Sequence, residues 1–509
     1  MARIFGIGGL TPALSVPAIL LASAAQADLT AGDVWADWQA YLASSGYSVT
    51  ATQAQSGDTL SVTDIALNMS FPEDEGAFTV ELGDLDFVEN GDGTVSVAIP
   101  EAQTMRLTGE TPEDGEVTVG MQFTQQGFEM IASGEPTELL YNYSADEIGF
   151  AFTEVDAGGE TLDIGEIAFG FGKVVGVTEM TTGDLRNSVQ RLASETLSYT
   201  IDVTDPEEGG TVFLQTELSG LDVTATGSVP LDVDMADMAK AISAGFDAAA
   251  NFNFASGQSK IRIEEDGDTI TADTSSNGGR YNVELGETGL SYALGLNGVK
   301  LFTQGGEVPF PVEVAFGEAG FDLALPLTQS EAEQDFSFAV TLGDFTVSDL
   351  IWSLIDPTGQ LPRDPATIAL DLSGKARVFF DLLDPEQMVA AENEGEMPGE
   401  LKSLSLNTLR LNMAGAELTG KGAFVFDNEN LETFGGVPAP EGAVDLSLVG
   451  GNGLLDKLIG MGLVPEDQAM GMRMMMGLFA VPGEGEDTLN SKIEVTPEGQ
   501  VLANGQRLR

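Results

Sequence analysis

The densest chemistry in the chain lies in QAMGMRMMMGLF, residues 468–479, where Met470, Met472, Met474, Met475 and Met476 crowd together. Thioether sulfur is a soft donor suited to Cu(I). It is also a pliable apolar filler of cores and adaptable surfaces. At helical spacing Met472, Met475, Met476 and Phe479 share one side, and Met470, Met474 and Leu478 share the other. Three readings stand for this segment: a buried core helix, an adaptable apolar surface for lipid or a partner, and a copper site. The copper reading lacks an imidazole or thiolate to complete it, because the chain has no His and no Cys. Arg473, inside the cluster, must turn to solvent or to a carboxylate.

The missing His and Cys exclude more than copper. Zinc sites of the usual kinds need them, and Ser–His–Asp or Cys–His catalysis has no base to use. Disulfides and a lipid-modified N-terminal cysteine are impossible, so the fold must rest on its core and its sheets. Carboxylates remain, with 81 acidic residues. A carboxylate-only hydrolase needs one pair at a defined separation with one raised pKa, and the sequence singles out no such pair. GFGKVVG (170–176) lacks the G-x-G-x-x-G spacing and reads as a strand. ENGDGT (89–94) and EEDGD (264–268) lack the ligand order of a calcium loop and read as hairpin turns. No catalytic residue, cofactor or metal site is assigned, and a non-enzymatic protein is expected.

The elements that would position any site are mostly strands. The 509 residues are 42% hydrophobic and 20% charged, a globular composition. In DIALNMSF, Ile65, Leu67, Met69 and Phe71 alternate with polar or small residues, and the period of two recurs at Phe78, Val80 and Leu82 and at Val95, Val97 and Ile99. It returns in SKIRIEEDGDTITAD, in SLSLNTLRLNMAGAELTGKGAFVFD and in GAVDLSLVG. One face buried and one wetted is the pattern of antiparallel sheet. The expected fold is mainly β, with long twisted antiparallel sheets and a few capping or filling helices.

Helical spacing places Val34, Trp35, Trp38, Tyr41 and Leu42 on one face near the start, with Gly46 to end the helix. Trp35 and Trp38 then either pack over the end of a sheet or form an aromatic platform for a ligand. Further helices are expected at about 232–250, 346–356, 452–463 and 465–480, the last opened by Pro465, Glu466 and Asp467. AAENEGEMPGE (390–400) reads as an exposed loop. The organisation expected is a signal peptide at 1–27, a helix plus β-rich region at 28–230, and a second β-rich region at 231–509 with a C-terminal helical pair and closing strand.

The start of the chain carries Arg3, an apolar stretch, and Ala25-Gln26-Ala27 ahead of Asp28, the pattern of a cleaved export signal. Periplasmic localisation is expected, with an uncleaved N-terminal anchor as the alternative. No later segment offers an 18-residue apolar run, so no retained helical span is expected. The charge of −60 repels nucleic acid and anionic headgroups. An outer-membrane barrel is disfavoured by Met- and Ala-rich helices and by only 7% aromatics.

Three blocks carry a family resemblance: LTAGDVWADWQAYLASSGY, SDLIWSLIDPTGQLPRDPATIALDLSGKARV (348–378), and the end from LLDKLIGMGLVPEDQ to GQRLR. They resemble the domain of unknown function 2125 (DUF2125) family of exported alphaproteobacterial proteins. That resemblance implies export and brings no activity and no catalytic residue. LRLNMAGAELTGKGAFVFD and GQVLANGQRL are more loosely similar to AsmA-like periplasmic proteins, with Asn504-Gly505 as a turn before a closing strand. That similarity implies long, curved sheets and an apolar trough for lipid at the envelope. The expected role is therefore an envelope protein that holds lipid or another apolar ligand on a sheet face. The candidate surface is Met472, Met475, Met476, Phe479, Trp35 and Trp38, and the candidate partners are lipid or an envelope protein. The alternative is a structural or protein-interaction role without a small ligand.

Overall fold

The computed structural model describes residues 28–508, apart from 45, 71–76, 112–114, 158–159, 163–164, 206–208, 232, 234, 236, 307 and 396. The expected export signal lies outside the described residues. Among those described, the strands join into one large antiparallel sheet. Six helices accompany it: α1 (Ala31–Ser44), α2 (Met238–Ser243), α3 (Asp349–Ile355), α4 (Pro385–Glu394), α5 (Gly451–Gly460) and α6 (Glu466–Phe479). None is long and apolar enough to cross a membrane. The strand Ser48–Ser56 pairs only with Thr59–Ser70, and no pairing among the described residues joins it to the C-terminal strands, so the sheet is open.

The order of pairing mostly follows the chain, but it forks twice. Thr59–Ser70 pairs along its first part with Leu85–Glu89 and along its second with Ala77–Leu82. The two files continue separately and rejoin on the 20-residue strand Glu138–Ala157. A second fork opens on Thr211–Pro230, which pairs with both Asp247–Phe254 and Ser256–Glu265, and closes on Gly289–Gly305. Between and beyond the forks, single strands of 14–20 residues span the full width.

A seam runs through these strands in register. Asp146 faces Lys173 between the pairs Ala145↔Val174 and Glu147↔Gly172. Lys173 in turn faces Glu195, and Glu195 faces Gly220. Gly298 faces Gly317, and Gly317 faces Asp344. Left-handed backbone recurs along this line, at Asp64 (φ 50°), Lys173 (52°), Gly220 (64°), Gly298 (55°) and Asp344 (53°). One inserted residue per strand inverts the alternation of side chains. The apolar positions obey this shift: Val212, Leu214 and Leu218 are even before Gly220, and Leu221 and Val223 are odd after it. In the strand Thr59–Ser70 the consequence is visible directly, because Leu60 and Val62 before Asp64 and Ile65 and Leu67 after it bury in one core. The seam therefore keeps the apolar residues on one side of the sheet while its backbone kinks.

That core sits at the N-terminal end, under α1. Thr30 caps the helix reciprocally with Asp33: the Thr30 N–H donates to the Asp33 carboxylate at 3.0 Å, and the Asp33 N–H donates to Thr30 Oγ1 at 3.2 Å. Ala31, Val34 and Trp35 bury against Phe87, Val95 and Val97. Trp35 and Trp38 both pack on the Phe87 ring, at 5.9 and 5.4 Å between centroids. A buried polar cluster pins the helix further along. Asp37 Oδ2 accepts from the Tyr141 hydroxyl at 2.7 Å, and Asp37 Oδ1 accepts from Arg186 Nη2 at 2.5 Å.

The structure departs from the sequence reading in two places. The helix expected at about 232–250 shrinks to Met238–Ser243, capped by Asp237, and Asp247–Phe254 is a strand. Its alanines lie in a period of two with Phe252 and Phe254, and pairing on both edges overrides their helical propensity. The loop expected at 390–400 begins inside α4, which runs to Glu394. The sheet also continues unbroken across residue 231, through the pairing of Thr211–Pro230 with Asp247–Phe254.

Candidate apolar binding face

Cross-strand registers line up apolar side chains in transverse rows. One row runs Ala250, Val283, Tyr292, Leu323, Phe338, Leu372, Leu406, Gly422, Val444 and Ile493, each residue opposite the next. The next row on the same face holds Phe252, Tyr281, Leu294, Phe321, Val340, Leu370 and Leu409. Between them, pointing the other way, lie Asn282, Ala293, Asp322, Ala339 and Asp371. The sheet is thus apolar on one side and polar on the other over many consecutive strands.

Aromatic rings stitch the apolar face together. Tyr281 meets Tyr292 edge-on at 5.2 Å, Tyr292 meets Phe321 at 5.8 Å, and Phe321 meets Phe338 at 5.8 Å. On the polar face Arg280 pairs with Asp322 at 3.6 Å. That pair is exposed, and its contribution to stability is small.

This face differs from the N-terminal core in what covers it. Between Asp247 and Val449, Val378 is the only large apolar strand side chain among the described residues that is fully buried. The rest are half-buried or exposed, with Tyr281 37%, Leu411 40% and Ile368 49% accessible. The whole chain exposes 30230 Å². A compact monomer of 53.3 kDa exposes about 18,000 Å². A sheet with a bare face accounts for the direction of that excess.

The residues singled out from the sequence fall in two distant places. Trp35 is buried in the N-terminal core, and Trp38 is half-buried against Phe87. Both are packing residues of α1. The methionines sit on α6, where Ala469 is the only buried residue. Met472 and Met475 are exposed, at 48% and 51%, and Met476 and Phe479 are half-buried. The core-helix reading of this segment is therefore corrected: α6 lies on the surface and shows its thioethers to solvent. It is held by an ion pair of Arg473 with Asp456 on α5. At its C-terminal end, Ser491 Oγ and Asn504 Nδ2 donate to the Phe479 carbonyl at 2.6 and 2.9 Å. The rows of the apolar face were not singled out from the sequence, although the alternation in LSYALGLN and FDLALPL carries them.

Carboxylates fix the helices that border the face. Asp487 accepts from the N–H groups of Asn452 and Gly453 at 3.1 and 2.7 Å, capping α5 from another part of the chain. Desolvation pushes its pKa up, and these donors more than reverse that, so it ends below the usual carboxylate range. Asp356, after α3, accepts from the Leu361 N–H at 2.7 Å, and that bond chiefly lowers its pKa. At the other end, burial and the hydrogen bond to Asp37 push the Tyr141 hydroxyl far above its ordinary range, so it stays a donor. These groups act as clamps, and each is occupied by its structural partner.

No family model matches the chain, and no curated protein matches it.

Proposed function

We propose that this chain is an exported, non-enzymatic envelope protein that holds the acyl chains of lipids along the uncovered apolar face of its sheet. The observation that carries this is the run of half-exposed Leu, Val, Phe and Tyr rows from Phe252 to Leu446, backed by a polar face and, among the described residues, by no second layer of buried side chains. Contiguous exposed apolar surface on this scale marks a binding surface in a soluble protein. Its dimensions suit acyl chains. The seven positions Leu290–Leu296 on one side of the seam extend about 23 Å along a strand, more than the ~15 Å acyl depth of one bilayer leaflet. The eight inter-strand steps from Phe252 to Leu446 carry the face roughly 40 Å across the sheet. The −60 charge favours zwitterionic or neutral headgroups over anionic ones. The resemblance of the N-terminal and C-terminal blocks to exported families, and the export pattern in residues 1–27, support a periplasmic setting for this role.

The test is lipid extraction and mass spectrometry of the protein purified without detergent from its native cells. Wild type should carry phospholipid or fatty acyl species. The pair Leu294→Lys with Phe338→Lys should strip them, and Ala293→Lys with Ala339→Lys on the polar face should not. Recovery of no lipid from wild type, or equal recovery from both pairs, would leave the alternative of an interaction protein without a small ligand.

A further inference from the structure

The apolar face ends in an open-mouthed pocket. Past the seam residue Asp344, one row of the sheet reads Phe345, Ala366, Met413. Over this margin α3 and α5 fold down and enclose a cavity of about 310 Å³. Phe345, Trp352, Leu361, Leu454 and Leu458 line it. Leu361 is fully buried at its base, fixed by the hydrogen bond from its N–H to Asp356. The mouth is apolar and open: Ile355, Met413 and Leu463 are 50%, 62% and 55% accessible. Ile368 and Leu411, the neighbouring pair of the apolar face, lie beside that mouth in the same two strands.

The charges at this pocket are already used. Arg363 pairs with Asp349 at 2.6 Å and lays its guanidinium 6.0 Å from the centre of the Trp352 ring. Arg363 is the one cation among the described residues that line the cavity, and its pairing leaves it unavailable to an acidic headgroup, which the Asp364 carboxylate at the rim would repel. Burying a polar headgroup here without partners would be costly. An unbranched alkyl end meets neither penalty. At about 30 Å³ for each water-sized group, the cavity holds about ten such groups.

We infer that this cavity seats the methyl end of an alkyl chain whose remaining length lies on the sheet's apolar face. It is the terminal stop for a ligand threaded along the rows. The inference rests on the acyl-binding reading above, but its test reads a different signal. The chain has three tryptophans. Trp35 and Trp38 lie in the distant α1 core and Trp352 lines the cavity, so Trp352 emission is the difference between wild type and Trp352→Phe.

Hexadecanol brominated at its terminal carbon and hexadecanol brominated beside the hydroxyl, both longer than the cavity can hold and both neutral, are the two probes. The terminal bromine should quench most of the Trp352 emission, and the bromine beside the hydroxyl should leave most of it. Leu458→Phe, which narrows the cavity, should weaken the terminal quenching. Equal quenching by both probes, no quenching, or quenching untouched by Leu458→Phe would overturn the inference. If extraction recovers lipid and Trp352 stays unquenched, the face stands and the stop falls. If Trp352 is quenched by the terminal bromine and no lipid is recovered, the cavity stands as a separate alkyl site and the face reading falls.

Discussion

Asp37 and Arg186 are 149 residues apart in sequence and meet beneath α1 with side chains only 5% and 2% accessible. Arg186 Nε and Nη1 are buried without hydrogen-bond partners in the structure, so the pair's desolvation is only partly offset. Removing one partner strands the other charge. Arg186→Leu should destabilise the protein by about 3–5 kcal/mol, whereas Asp37→Leu with Arg186→Leu should recover most of that loss. Urea unfolding followed by Trp35 and Trp38 emission reads both. Equal destabilisation by the single and double variants would show that the ion pair itself, not the stranded charge, matters. None of this was legible in the sequence, where Asp37 is one acid among 81 and nothing ties it to Arg186. The methionines of α6 were conspicuous for the opposite reason. Residue type flagged them, but an apolar side chain's burial depends on what packs over it, and α6 rests beside α5 and the last strands with most of its side chains exposed.

Among the elements, the strands were the most readable, because period two survives wherever one face is apolar. The hairpins at Asn90–Thr94 and Asp266-Gly267 followed from turn chemistry, the latter with φ of 53° and 86°. α1, α3, α5 and α6 stand close to where their apolar spacing and Pro465 placed them. The seam was missed. A one-residue inversion of alternation at Lys173 or Asp344 looks like the end of one strand and the start of another, and only the shared register across neighbours reveals it. At Gly220 the left-handed backbone favours glycine, and an added Cβ would also meet the Ala255 Cβ at 3.0 Å. Gly220→Val should cost about 1–2 kcal/mol from the backbone alone. Chemical denaturation reads this, and a loss within error of zero would mean that the strand slips past the seam without strain.

At the scale of the molecule, the arrangement is one wide sheet with a filled end and a bare flank. α1 supplies the second layer over the first strands, and α3 and α5 close the margin at the Phe345 row. Between them the fold leaves apolar rows that no other element among the described residues covers. The mainly β, antiparallel class was legible from alternation. The bareness was not, because the same alternation describes a sandwich whose second sheet covers the first, and no periodicity tells the two apart. A formal charge of −60 opposes self-association through such a face. The most direct test is photo-crosslinking in living cells from a benzophenone amino acid placed at Leu294, on the apolar face, or at its neighbour Ala293, on the polar one. The account predicts lipid adducts from Leu294 and none from Ala293. Lipid adducts from both positions alike, or none from Leu294, would contradict it.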